Sequence, residues 1–221
     1  MTVNVAGRGM PTNPRGPSDI SLQEFIEAVG SAEEPHGAVA AAAVAGSLGS
    51  SLLLMVAVLP QTRSDSIDHR TKLIEAAAVL SSVRLQLIET LETETAVKLF
   101  AARNMPQASD AQRSQRRDAI QLALRASAEV PLEVMRLCAR GLKTAASVAA
   151  HSARAASADT HLGMSLLQAG FEGARSNLEG KLSSFIDATY VTSVVDEIAR
   201  LSEETTAAAR AAASSLEVPP A

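Results

Sequence analysis

One stretch of the chain restricts its possible folds more than any other, because residues 37–59 contain no charged side chain. Its first half is almost entirely Ala and Gly, and Gly46 and Gly49 would let a neighbouring backbone approach closely. A helix that is apolar on every side belongs either in the centre of a helical bundle or in a membrane. Two glutamates precede the stretch and a lone Arg63 follows it, so no strong positive anchor favours a membrane span. We therefore predict a buried central helix and no membrane partner, with a membrane span as the alternative.

The composition favours helices throughout the chain. There are 42 alanines, the best helix formers, whereas aromatic residues make up only 2%. Strands and nucleic-acid stacking surfaces both draw on aromatic side chains, so neither is expected. A net charge of −4 and a pI of about 5.6 give no basic surface for nucleic acid. The fold class predicted is therefore all-α, a bundle of five to seven helices around the buried Gly/Ala-rich helix, with no nucleic-acid partner.

The single cysteine limits the chemistry further. Cys138 excludes a disulfide within the chain and a zinc site built from several thiolates. It lies in an apolar segment, which predicts a buried small hydrophobic residue and not a nucleophile. No metal site is expected.

The sequence predicts a single domain flanked by two short terminal segments. Residues 1–17, rich in Gly, Pro, Asn and Arg, are predicted to be a flexible leader without the apolar core of a signal peptide, which indicates a cytoplasmic protein. Residues 18–214 form the predicted helical domain, and residues 215–221 a disordered tail.

Apolar periodicity and helix-breaking residues divide the domain into helices. After the cap residue Ser18, a short helix ends at Gly30, and Pro60 ends the uncharged helix. Pro131 should kink or restart the helix that contains it. The remaining predicted helices cover about 66–103, 109–137, 142–151, 159–182 and 185–213.

Sequence motifs alone point to no particular chemistry. There is no nucleotide-binding loop and no pair of metal ligands at helical spacing, and the four histidines are scattered. The amino end of the uncharged helix, at His36 and Gly37, would present free N–H groups to an anionic or carbonyl-bearing ligand. Every helix has such an end, so this indication is weak.

Several separate segments share residues and order with a known family. They comprise a short Leu-x-x-Phe helix, a Gly/Ala helix ending in Met-Val, and two later helical segments. The matching residues are Leu22, Phe25, Gly37, Gly46, Gly49, Met55, Val56, Ala119, Ile120, Gln121, Ala123, Leu124, Val130, Pro131, Leu132, Asp159, Glu172, Gly173, Ala174 and Asn177. Over about residues 20–185 the chain resembles the cyclodeaminase/cyclohydrolase family. That family includes the cyclodeaminase half of formiminotransferase-cyclodeaminase and the bacterial methenyltetrahydrofolate cyclohydrolases.

The resemblance implies an all-α bundle, usually a homodimer, that acts on a tetrahydrofolate derivative as a small-molecule substrate and requires no cofactor. Some polar positions of the family differ in this chain. The glycine-rich loop before the second helix keeps one glycine, Gly37, and the second Asn of the last motif is Lys181. Two substrates stay open: methenyltetrahydrofolate, or a non-folate molecule that is cyclised in a specialised biosynthetic pathway.

The retained polar residues define a candidate site. Asp159 precedes or begins a predicted helix, where the positive end of the helix dipole favours a carboxylate, and His161 follows it. We predict that the two form an acid/base pair for making or breaking a C–N bond, while Glu92 or Glu94 orients the amine. The predicted catalytic residues are Asp159, His161 and Glu92, and the predicted substrate-binding residues are His36, Gly37, Glu94, Glu172, Asn177 and Lys181.

Each of these residues also has an interpretation without chemistry. Asp159 could serve only as a helix cap, and Lys181 could pair with Glu179 or face solvent. The corresponding alternative for the whole chain is a non-catalytic helical binding or assembly protein.

Overall fold

The computed structural model describes residues 21–31, 37–59, 66–92 and 95–217, and within these ranges it contains seven α-helices and no strand. The helices are α1 (Leu22–Val29), α2 (Gly37–Val58), α3 (Ile67–Glu89), α4 (Thr95–Arg103), α5 (Asp110–His151), α6 (Ser157–Lys181) and α7 (Ala188–Glu217). Short 3-10 turns occupy Thr90–Glu92, Arg154–Ala156 and Leu182–Ser184. The predicted all-α class and number of helices are confirmed. The predicted leader lies outside the described residues. The prediction of Ser18 as the cap of the first helix was wrong, because Ser21 caps α1 and forms a reciprocal capping box with Glu24, three residues later.

The uncharged helix α2 is a core helix, as predicted. By length and composition it could cross a membrane, with a mean hydropathy of 2.0. In the fold, however, it packs against α3, α5 and α6. The α2 residues buried there are Ala42, Ala43, Gly46, Ser47, Gly49, Ser50, Leu53, Val56 and Ala57.

Glycines bring α2 and α6 into backbone contact. A Cβ added to Gly49 would lie 2.5 Å from the Gly163 carbonyl oxygen, and one added to Gly170 would lie 2.7 Å from the Ala42 carbonyl oxygen. Since real Cβ atoms do not approach backbone so closely, both positions require Gly. The two helices can therefore pack only while these residues lack side chains.

Cys138 fills the space beside this contact. It is fully buried, and its Sγ would lie 2.7 Å from a Cβ added to Gly46. Burial raises the pKa of its thiol to about 12, so the predicted hydrophobic role is confirmed.

Of the two outcomes predicted at Pro131, a restart of the helix does not occur, because α5 continues through it as one helix over Asp110–His151. The separate helix predicted at 142–151 is the last part of α5. Pro131 cannot donate the usual helical hydrogen bond to the carbonyl of Ser127, four residues earlier. That carbonyl instead accepts a hydrogen bond from the Lys181 Nζ at 3.1 Å, so a partner on α6 replaces the missing one.

Two other helix boundaries also differ from the predictions. The long helix predicted over 66–103 is interrupted at the 3-10 turn Thr90–Glu92, where the Thr90 hydroxyl donates to the Leu87 carbonyl. A threonine hydroxyl that binds a nearby carbonyl in this way competes with the backbone hydrogen bonds of the helix. At the other end of the chain, α7 extends to Glu217, so residues 215–217 of the predicted tail are helical.

Replacement of Gly49 by Ala tests whether α2 and α6 depend on backbone contact. Since the new Cβ would meet the Gly163 carbonyl and the Leu167 nitrogen, we expect a loss of about 3 kcal/mol in the free energy of unfolding. Gly180→Ala is the matched control, because nothing lies within 4 Å of a Cβ added there. It should stabilise α6 by about 0.5–1 kcal/mol. Denaturant unfolding measures both, and equal effects would contradict the close contact.

Candidate functional site

The predicted site residues fall at two opposite ends of the bundle, because α2 and α6 run antiparallel. Gly46 lies against Gly170, and Gly49 against Gly163, so residue numbers rise along one helix as they fall along the other. The amino end of α2 therefore lies beside the carboxyl end of α6. We call this the Lys181 end, and the opposite one, where α5 ends and α6 begins, the His151 end.

At the Lys181 end, the side chain of Lys181 lies between two helices. It is partly buried, and its Nζ donates to the Ser127 carbonyl of α5. Pro131 leaves this carbonyl without its helical donor, so the lysine has a fixed backbone partner rather than a carboxylate. Lys181 does not form the alternative ion pair with Glu179. The Glu179 carboxylate lies 3.8 Å from the Nε of Arg175 instead.

Asn177 lies on the same face of α6 as Lys181. It follows Gly170 by seven residues, two helical turns, and therefore faces the same side as the glycine that touches α2. Its Oδ1 is buried, and among the described residues it has no hydrogen-bond donor. A buried amide oxygen without a partner is costly, which points to a donor supplied from outside these residues.

Two other predicted residues share the Lys181 end. Gly37 is the first residue of α2, and a Cβ added to it would lie 3.0 Å from the Val29 carbonyl oxygen of α1. Glu92 closes the 3-10 turn that contacts α2 and α5. The Glu92 side chain lies outside the described part of the structure, as do His36 and Glu94 entirely.

Burial determines the electrostatics of the Lys181 end. Desolvation lowers the pKa of the Lys181 amine below 10.5, because water no longer solvates its charged form fully. The folded protein therefore binds fewer protons at this site than the unfolded chain does. Where the pH lies between the two pKa values, stability rises with pH. An amine with a lowered pKa can accept or donate a proton closer to neutrality.

Asp159 and His161 lie at the His151 end instead. Asp159 is in the first turn of α6, as predicted, and His161 is exposed. Residues two apart on a helix point to different sides, so the two side chains do not share a face. Lys181 follows Asp159 by 22 residues, which at 1.5 Å per residue is about 33 Å along α6. Within one chain the structure does not bring the predicted acid/base pair to Lys181.

The His151 end also holds a pair of residues that the sequence analysis missed. The rings of His69 and His151 meet edge to face with centroids 4.8 Å apart, and the His151 Nδ1 lies 2.7 Å from the Ser147 carbonyl oxygen. These histidines are 82 positions apart in the sequence, so no local pattern could reveal the contact. Within the described ranges, no three His, Cys, Asp or Glu side chains form a cluster that could hold a metal ion.

Glu172 belongs to neither end. It lies on another face of α6 from Asn177, where its Oε2 pairs with the Arg175 guanidinium at 2.6 Å. It lines a cleft between α6 and α7. The structure therefore separates Glu172 from the other predicted binding residues.

Comparisons with known proteins agree on one family. The family described as formiminotransferase-cyclodeaminase matches residues 21–200. Formimidoyltransferase-cyclodeaminase from Gallus gallus is 24% identical over 199 residues, which cover 89% of this chain but only 36% of that protein. The crystal structure of formiminotetrahydrofolate cyclodeaminase from Thermotoga maritima aligns with a TM-score of 0.79 and 21% identity. The alignment covers 90% of this chain and 97% of that one, and it shows that the two share a fold.

Titration of Lys181 tests whether burial lowers the pKa of its amine at the Lys181 end. We expect its amine to titrate with a midpoint below 10.5, since its charged form is partly desolvated. NMR of the protein with isotopically methylated lysines measures the midpoint, and Lys181→Arg identifies the signal. A midpoint at or above 10.5 would contradict the desolvation of the amine.

Proposed function

The chain belongs to the formiminotransferase-cyclodeaminase family, and on that premise we propose that it is an enzyme that makes or breaks a C–N bond in a small cyclic molecule. Its proposed substrate is a tetrahydrofolate derivative, and its proposed location is the cytoplasm. The family supplies the reaction class, and the Lys181 end supplies the residues. No cofactor is required for this chemistry.

One observation carries the assignment of the reaction to the Lys181 end: the Lys181 amine is partly buried and held by the Ser127 carbonyl. Ring opening by water forms a C–O bond at the bridging carbon and breaks a C–N bond. As the carbonyl forms, the water oxygen loses both of its protons; the leaving nitrogen receives one, and the other passes to solvent. A lysine whose pKa is lowered by burial can carry out such a transfer.

The neighbouring groups fit a polar, ring-shaped substrate. The unpartnered Oδ1 of Asn177 can accept a hydrogen bond from a substrate N–H. The amino end of α2 at Gly37 presents N–H groups that suit a carbonyl or an anion. Glu92 keeps its proposed role of orienting the substrate amine, since its turn contacts the same helix.

Asp159 and His161 remain the competing acid/base pair. About 33 Å of helix separates them from Lys181, so one chain offers two alternative sites rather than one combined site. Only a second copy of the chain could bring the two sets of residues together. The variants below distinguish these possibilities.

Two alternatives concern the substrate and the class of protein. The loop before α2 and the Lys181 position differ from the family pattern, which favours a non-folate ring in a biosynthetic pathway as the second candidate. A non-catalytic assembly protein is the third. Formiminotetrahydrofolate is named for the Thermotoga maritima relative, so it and methenyltetrahydrofolate are the first compounds to test.

We also propose that the protein is a homodimer joined through α2. This helix has no charge on any side, yet Leu48 is 53% exposed, Met55 38% and Val58 54%. The three residues lie on one face, at spacings of seven and three. A helix face without charge is expected to be covered, and a second copy supplies an equally apolar surface.

Turnover by single variants tests the site. Lys181→Met should lower kcat for the hydrolysis of methenyltetrahydrofolate by roughly 100- to 10,000-fold if the amine transfers the proton. Lys143→Met, at an exposed lysine of α5, is the control and should leave kcat unchanged. Asn177→Leu should lower kcat/KM. It should keep or raise the free energy of unfolding, because it removes an unpartnered buried oxygen.

Asp159→Asn tests the competing site at the His151 end. If that variant loses turnover while Lys181→Met keeps it, the reaction belongs to the His151 end. If the unmodified protein neither turns over nor binds folates by calorimetry, the folate substrate is excluded, and the non-folate substrate and the non-catalytic assembly protein are the two candidates left.

The size of the particle in solution tests the dimer. Light scattering should give twice the chain mass of 22.9 kDa, and Leu48→Glu should halve the measured mass, because it buries a charge in the interface. Leu122→Glu, at a residue of α5 that is 72% exposed, should leave the mass unchanged. A monomeric unmodified protein would exclude this interface.

A further inference from the structure

A cleft between α6 and α7 carries hydrogen-bond donors that the proposed reaction does not use. Its volume is about 420 Å³, within the range of about 300–1,000 Å³ that is usual for small-molecule sites. It exists because α7 packs mainly on α5 and touches α6 over a short length. Arg175 and Glu172 line it from α6, and Thr205 and Arg210 line it from α7. Arg175 and Lys181 lie on different faces of α6, so the cleft is separate from the Lys181 end.

Thr205 is the first indication of a ligand. It is only 6% exposed and lies on the buried face of α7, whose other members are apolar: Val194, Ile198, Leu201 and Ala212. Its Oγ1 has no hydrogen-bond partner among the described residues. Two neighbouring hydroxyls that line the same cleft are satisfied, since Ser202 donates to the Ile198 carbonyl and Thr206 to the Ser202 carbonyl. Thr205 alone of the three is left to bind something else.

Arg210 supplies the charge of the cleft, and Arg175 supplies a donor. The Arg175 guanidinium is paired with Glu172 at 2.6 Å, which accounts for that carboxylate. Its Nε is nevertheless buried without a hydrogen-bond acceptor, since Glu179 is 3.8 Å away. Within the described part of the chain, no carboxylate oxygen lies within 4.0 Å of the Arg210 guanidinium, whereas Arg200 on the same helix pairs with Glu197 and Glu204. The cleft thus combines an unmatched positive charge with two unused donors.

We propose that this cleft binds a small oxyanion, the carboxylate or phosphate group of a metabolite, at Arg210, the Thr205 hydroxyl and the Arg175 Nε. Guanidinium and hydroxyl donors are the groups that recognise both anions. Glu172 also lines the cleft, and its carboxylate is bound to the Arg175 guanidinium.

Calorimetry on the full chain tests the proposal with succinate and inorganic phosphate as separate probes. At least one should bind with a single saturable site, and whichever binds identifies the carboxylate or the phosphate as the recognised group. Arg210→Gln and Thr205→Val should each weaken binding by about tenfold or more, since each removes a donor to a charged acceptor. Thr205→Ser, which keeps the hydroxyl, should bind the anion about as well as the unmodified protein does.

Controls separate this site from a general charge effect and from the proposed reaction. Arg200→Gln removes an equal charge from α7 outside the cleft and should bind as the unmodified protein does. Lys181→Met should also retain binding. Thr205→Val should unfold at a higher temperature than the unmodified protein without ligand, yet gain less stability from the same concentration of anion. The proposal is overturned if neither probe saturates, or if Arg200→Gln weakens binding as much as Arg210→Gln does.

Discussion

The contact between α2 and α6 is the constraint on which the rest of the structure depends. At Gly49 and Gly170 the backbones approach so closely that any Cβ would meet a carbonyl oxygen within 3 Å. This contact makes α2 central, so α3 and α5 pack around it and Cys138 fills the remaining space. It also sets the antiparallel order of the two helices, and with it which polar residues become neighbours. The locations of both candidate sites follow from this one approach.

The contact between the Lys181 amine and the Ser127 carbonyl replaces a hydrogen bond that α5 lacks. Pro131 removes the donor that the Ser127 carbonyl would have within α5, and the Lys181 amine of α6 supplies the replacement. The pair gives the freed carbonyl a donor and holds a partly buried amine in place. The same contact therefore serves the packing of α5 against α6 and the candidate chemistry.

The sequence predicts which residues share one helix face, but not which faces meet in the fold. Asn177 and Lys181 lie on one face of α6 because their spacing of four residues requires it in any helix. The same geometry separates Asp159 from His161, and the length of α6 separates both from Lys181. The contact between His69 and His151 and the cleft at Thr205 each join distant helices, so no spacing within the sequence could indicate them. Thr205 interrupts an otherwise apolar stripe along α7, and this is a signal that the sequence does contain.

What the sequence alone determined is the helical class, the central position of the charge-free helix and the hydrophobic role of Cys138. These follow from alanine content, absence of charge and local apolarity, which act through each residue and its near neighbours. The tertiary structure alone decided that α5 continues through Pro131, that the predicted site residues separate into two ends, and that α7 leaves a cleft beside α6. Each of these depends on which helix supplies a partner across space, and a partner from another helix has no counterpart in the local pattern of the chain.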